Sequence, residues 1–183
     1  FKEDIPSTLK LINDWGITVL EGGDSYGMPE EEFKGLLAKN NLKVVSIGAG
    51  FNDLANAPEE VVKKAKSYGA NYVMCASIPH DGNNFDISDT QKAVEVFNKA
   101  GKILRDNGLK LAYHAHGFEF RPYKDGTLFD YMAQNKVYVY RGRVFQGCGT
   151  GTEEFKVFGR NKIISIPFIE IELKRTPVGG LFV

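Results

Sequence analysis

The chain has 183 residues, 43% of them hydrophobic and 25% charged, enough for one globular domain with a substantial core. Its 23 Lys+Arg balance 23 Asp+Glu, and the resulting net charge of zero argues against a nucleic-acid or membrane-surface partner. No apolar run approaches the roughly 20 residues of a membrane helix, and the two distant cysteines, Cys75 and Cys148, form neither a CxxC pair nor a disulfide framework.

Ile5 to Trp15 carries Leu9, Leu11, Ile12 and Trp15 on one helical face, with Ser7 or Thr8 near its start and Gly16 at its end. Ile17 to Glu21 reads as a short buried strand. Met28 to Lys39 is the next helix, with Pro29 in its first turn and three glutamates at its positive end. Asn40-Asn41 stop it, and Leu42 to Ile47 is strand. Pro58 to Tyr68 repeats the helix, closed by Gly69, and Tyr72 to Ala76 is strand. Ser88 to Asp106 is a long amphipathic helix with Ala93, Val96, Phe97, Ala100 and Leu104 on one face. Asn107-Gly108 end it before the strand Leu109 to Tyr113.

Four strands thus follow four helices in alternation, which implies a parallel sheet. The loops after the strands (22–27, 48–57, 77–87 and 116–126) are longer than those before them. That layout favours a partial (β/α)8 barrel, lacking its first strand and last units, over a doubly wound sheet. All three histidines stand just past strand-like runs: His80, His114 and His116. In a barrel those positions share one mouth, which points to small-molecule chemistry. Cys75 reads as a small core residue, and Gly22-Gly23 and Gly48-Ala-Gly50 as tight turns, since no nucleotide-binding spacing is present. Tyr26, Phe51 and Tyr123 serve equally as apolar walls for a ligand or as packing.

Several segments resemble the sugar phosphate isomerase/epimerase family, whose fold is a xylose isomerase-like TIM barrel. They are Val19-Leu-Glu-Gly-Gly23, Tyr72-Val-Met-Cys-Ala-Ser-Ile-Pro-His80, Ala93-Val-Glu-Val-Phe-Asn-Lys-Ala-Gly-Lys102, Tyr113-His-Ala-His-Gly-Phe-Glu-Phe120 and Gly126-Thr-Leu-Phe-Asp130. The resemblance runs from Phe1 to about Asn135. It implies a divalent metal (Mn, Mg, Zn or Co) at the C-terminal mouth and a small-molecule carbohydrate substrate. The metal polarises a carbonyl or hydroxyl pair while acid/base groups move a carbon-bound proton.

Carried over residue by residue, Glu21 stands where the family has a mouth-facing acid, so it is a candidate for substrate binding or general base. A salt bridge at a strand end explains it as well. His114 stands where many relatives place a metal-binding Glu and where the Tyr-His-x-His subgroup has a His, so the resemblance implies metal ligation. His116, two residues on, shares its face if the strand continues, and is the second catalytic candidate. Ordinary hydrogen-bonding histidines are the alternative for both. Glu119 is a candidate for substrate binding at the mouth, either directly or by orienting a histidine, with a solvated loop acid as the alternative. His80 and Tyr26 are candidates for lining the mouth.

After Asn135 the resemblance stops. The family follows with strands carrying Asp, His and Glu, whereas residues 136–152 hold neither Asp nor His. Residues 136–183 hold eight Lys/Arg and four Glu, leaving 15 and 19 for residues 1–135, so net charge moves from −4 to +4 at this boundary. Residues 1–135 are therefore read as a partial TIM-barrel domain. Residues 136–183 are read as an atypical C-terminal segment of it, out of frame or diverged. Ile163 to Leu173 is strand-like, with Glu170 and Glu172 on one face but outside the family's motif.

The functional expectation is a metal-dependent isomerase/epimerase, incomplete as this chain. A lyase or dehydratase of keto-sugar or inosose type, and a non-catalytic sugar-binding module, are the alternatives. A DNA-repair endonuclease barrel needs a basic surface and more metal-binding histidines than three. The open edge of a partial barrel favours partner pairing, so a homo-oligomer is one expectation. The chain begins at Phe1 without a signal-peptide pattern, as if its N-terminus were missing. The cytoplasm is then the default compartment and the periplasm the alternative.

Overall fold

The computed structural model describes residues 4–82, 84–135 and, by backbone alone, 139–141. All of them fall within one compact unit, Phe1–Cys148. Its elements are α1 (Ile5–Asp14), β1 (Val19–Gly22), α2 (Glu30–Lys39), β2 (Lys43–Gly48), α3 (Phe51–Asn56), α4 (Pro58–Ser67), β3 (Tyr72–Cys75), α5 (Ile87–Asp106) and β4 (Lys110–Tyr113). A 3-10 turn (Phe118–Phe120), the short strands β5 (Pro122–Tyr123) and β6 (Gly126–Thr127), α6 (Leu128–Gln134) and β7 (Val139–Arg141) follow. Calls made on Cys148, Glu170 and Glu172 lie outside the described residues.

The principal sheet runs β1-β2-β3-β4-β7, every pair parallel. Chain order and spatial order coincide. A doubly wound sheet reverses its strand order at a switch point and this one does not, so the architecture is that of a barrel sector. The alternation of helix and strand continues past residue 135, where the resemblance stops, by one strand, β7. The cause is legible locally: Val137-Tyr-Val-Tyr140 is β-branched and aromatic throughout.

Register fixes which way each strand faces. Ile47, Val73 and Leu111 are mutual partners and all are buried, forming the row under the helices. Phe97 of α5 sits on this layer, 5.6 Å from the Phe51 ring and 5.3 Å from the Tyr113 ring. Burying one such ring contributes about 1.5–3 kcal/mol. Alternation puts Ser46, Met74 and Ala112 on the opposite, inner face. The α5 stripe holds as expected, with Thr90 and Gly101 added to its buried face and Val96 at the rim.

Several boundaries differ from the sequence expectation. Helix α1 is capped by Asp4, whose carboxylate accepts from Ser7 N at 2.9 Å, so it starts ahead of Ser7 and Thr8. Pro29 is the N-cap of α2 rather than its first-turn residue. The 48–57 connection contains helix α3, and 116–126 contains the 3-10 turn and strand β5. Phe51 is therefore a core ring of α3, not a mouth wall. Gly23 confirms the tight-turn reading. Its φ is +97°, and a Cβ there would lie 2.7 Å from Ile47 Cγ2. Gly23→Ala is expected to cost about 1–3 kcal/mol from backbone strain, read as a lower urea midpoint. An unchanged midpoint would show that the turn can relax.

Candidate functional site

The C-terminal ends of β3 and β4 carry the histidines. Tyr113 faces the helices, so alternation turns His114 to the inner face. The His114 amide donates to Cys75 O at 3.0 Å, which extends the β3–β4 ladder to that residue. His114 is exposed and His116 half-buried.

The structure brings all three histidines into one row of rings. Between ring centres, His80 lies 4.1 Å from Phe118, Phe118 lies 5.1 Å from His116 and is stacked nearly parallel to it at 9°, and His116 lies 5.1 Å from His114. Phe85 backs the row, 5.0 Å from Phe118. Phe118 is the member the sequence reading lacks. The available signal is an aromatic two residues beyond a His-x-His pair, the spacing that stacks it on the second histidine. His80 Nδ1 is 2.6 Å from Ile78 O. A carbonyl only accepts, so that nitrogen carries the proton and Nε2 is left as acceptor.

Glu119 anchors the row from below. It is 0% exposed, which overturns the solvated-acid alternative and corrects the direct substrate-binding expectation, since a carboxylate sealed from solvent does not reach a ligand. One carboxylate oxygen accepts from the Tyr113 hydroxyl, and the other from the His116 backbone N–H at 2.7 Å. Burial, reinforced by the carboxylate beside it, pushes the Tyr113 phenol far above its ordinary value, so it stays a donor. His116 Nδ1 is buried without a hydrogen-bond partner and lies 3.6 Å from Glu119 Oε1. That separation is an electrostatic contact, too long for a hydrogen bond.

Glu21 is exposed near the end of β1, just past a register irregularity, paired in register with Ser46. Ser46 is 7% exposed and its hydroxyl has no partner, a polar inner-face position that sequence alone does not flag. Three strand spacings of about 4.8 Å separate β1 from β4, roughly 14 Å along the sheet. Glu21 and His116 therefore stand too far apart along the sheet to form a hydrogen-bonded pair. Tyr26 is half-buried with φ +55°, its amide held by Asp24 Oδ1 at 2.8 Å and its ring edge-on to Phe33. Tyr123 packs edge-on against Tyr131 at 5.6 Å. Cys75 is buried and donates to Ser77 O at 3.4 Å. Burial pushes its thiol up to about 11, the state of a core residue rather than a nucleophile.

The described residues do not make a metal centre. No group of three His, Cys, Asp or Glu among them is placed to hold an ion. His114 and His116 supply two imidazoles, short of the three protein ligands of a catalytic zinc site and of the wrong chemistry for an oxygen-seeking magnesium ion. Also among the described residues, no helix is long and apolar enough to cross a membrane.

No family model and no curated protein sequence matches the chain. Solved structures do. A sugar phosphate isomerase/epimerase from Parabacteroides distasonis superposes with a TM-score of 0.57 at 22% identity, over 76% of this chain and 59% of its own length. A xylose isomerase-like TIM barrel protein from Mycobacterium smegmatis, in complex with magnesium, gives 0.46 at 17% over 59% and 45%. An AP endonuclease, family 2, from Brucella melitensis gives 0.47 at 15% over 60% and 49%. The chain thus spans about three fifths of the first of these proteins. Strand order, parallel pairing and the likeness to the first of these agree that the fold is that of its matching part, a sector of a TIM barrel, the architecture expected from the sequence.

Proposed function

We propose that the chain binds a carbohydrate at the C-terminal end of its sheet and belongs to an enzyme that moves a proton next to the sugar carbonyl, as an isomerase or epimerase does. The observation that carries this is the gathering of His80, His114 and His116 into one ring row at the strand ends. The shared fold with a sugar phosphate isomerase/epimerase supports it. In this reading His116 and Glu21 are the acid/base groups on two walls of the mouth, and His80 and Tyr26 line it. Glu119 acts through His116. Proton removal leaves negative charge on the carbonyl oxygen, and donors held in place at that point stabilise it. His114, exposed beside His116, is the residue proposed for a metal or for this oxygen, and a resident metal needs ligands beyond the described set.

The test is deuterium uptake at carbon in D2O, with the full chain and a panel of free and phosphorylated aldoses and ketoses, with and without added Mg, Mn, Zn or Co. Exchange is expected, falling about 100-fold in His116→Gln, the usual scale for a lost acid/base group. Release of water from the sugar would instead make the enzyme a dehydratase. Sugar binding with no exchange under any metal condition would overturn the enzyme reading. It would favour a sugar-binding module instead.

A further inference from the structure

The buried carboxylate under the ring row has one oxygen facing an imidazole nitrogen that nothing else satisfies. Glu119 Oε1 lies 3.6 Å from His116 Nδ1, and that nitrogen is sealed from solvent while the side chain as a whole is 38% exposed. The exposed part is therefore the far edge of the ring, which carries Nε2. A neutral imidazole holds one proton on one of its two nitrogens. A lone pair on Nδ1 would point at a carboxylate oxygen that is itself only an acceptor. A proton there turns the same contact into an attraction and, with a small ring rotation, into a charge-assisted hydrogen bond.

We infer that Glu119 is a positioning residue that fixes His116 in the Nδ1–H tautomer, so that Nε2 stands at the mouth as a lone-pair acceptor. The Glu119 carboxylate cannot rotate away from the task. Its other partners, the Tyr113 hydroxyl and the His116 backbone N–H, hold it from two sides, and the second ties it to the residue it orients. Phe118 stacks on the imidazole at 9° and limits ring flipping. Used as a base, His116 takes a substrate proton on Nε2 and becomes an imidazolium with Glu119 behind it, then returns that proton to carbon or oxygen. No other reactant is consumed. This inference deepens the proposed function and rests on it for the catalytic step, but the tautomer itself does not.

Long-range 1H–15N spectra of the histidine rings of the full chain, with His116 assigned through His116→Gln, read the tautomer directly. The expected result is an Nδ1–H to Nε2–H ratio of about tenfold or more, equivalent to about 1.4 kcal/mol. Glu119→Gln, whose amide presents a donor as well as an acceptor, should reduce that ratio several-fold. Tyr113→Phe keeps the carboxylate and should leave Nδ1–H dominant, so one informative variant remains if Glu119→Gln does not fold. An Nε2–H or evenly mixed His116 in the unmodified chain overturns the inference, as does a ratio indifferent to Glu119→Gln. A chain with the Nδ1–H tautomer and no proton exchange on any sugar overturns the proposed function and leaves the positioning role standing.

Discussion

Glu119→Ala is expected to lower the unfolding free energy by about 2–6 kcal/mol in urea denaturation, from two stranded buried donors at about 1–3 kcal/mol each. Those donors are the Tyr113 hydroxyl and the His116 backbone N–H, which both end on the Glu119 carboxylate in the fully buried position. An opposing effect exists, since a buried carboxylate is costly to desolvate and its removal returns that cost. The donors decide the sign, because neither has another partner among the described residues and alanine offers none. Tyr113→Phe combined with Glu119→Leu should recover part of the loss, since one stranded donor goes and the cavity shrinks. A Glu119→Ala cost below about 1 kcal/mol would mean that the buried network is not a structural element.

Much of the fold is legible in the chain because its stop signals are physical requirements. Asn41, Gly69 and Gly108 have φ of +52°, +66° and +80°. A left-handed residue after a helix is nearly confined to glycine and asparagine, so these positions announce a helix end before its strand. Strand β7 is legible from its alternating Val and Tyr, a signal that holds although the family's Asp and His are missing from that stretch. Helix α3 is nearly illegible. Its six residues make fewer than two turns, its buried positions are a single i, i+3 pair, Phe51 and Leu54, and its cap is Gly50 without a side-chain hydrogen-bonding group. The start of α1 misleads for another reason: Ser7 and Thr8 are good caps by type, yet Asp4 takes that place and Thr8 Oγ1 donates to Asp4 O at 2.6 Å.

The site is legible to the extent that topology alone builds it. A parallel sheet collects residues at its strand ends, so histidines after β3 and β4 meet whatever the details of their loops. What the chain does not show is depth. A glutamate defaults to solvent. Glu119 is buried because the 3-10 turn Phe118–Phe120 folds it back onto Tyr113, six residues earlier. The same turn lays Phe118 between His80 and His116. Ser46 is hidden for a related reason: alternation along the strand gives its face, but its burial and its pairing with Glu21 follow from the register of β1 and β2, which a strand pattern does not state.

The same buried layer sets how the protein responds to alkali. Below pH 9 the Cys75 thiol keeps its proton in both the folded and the unfolded chain, and stability is flat with respect to this group. Above 9.0 the unfolded chain releases the proton, while burial holds the folded thiol protonated up to about 11. The folded state then binds more protons, so stability falls as pH rises through that window, by about 3 kcal/mol in all for Cys75. Tyr113 acts with the same sign from 10.0 upward, since burial and the Glu119 carboxylate both hold its phenol protonated in the fold. Urea midpoints measured from pH 8 to 10.5 should therefore drop steadily. Cys75→Ala should flatten the part between 9 and 10, and Tyr113→Phe the part above it, whatever either variant does to stability at pH 8. A midpoint that does not move between pH 8 and 10.5 would contradict the burial of both groups. A slope that survives both substitutions would move its origin to the lysines, which begin to lose charge in the same range.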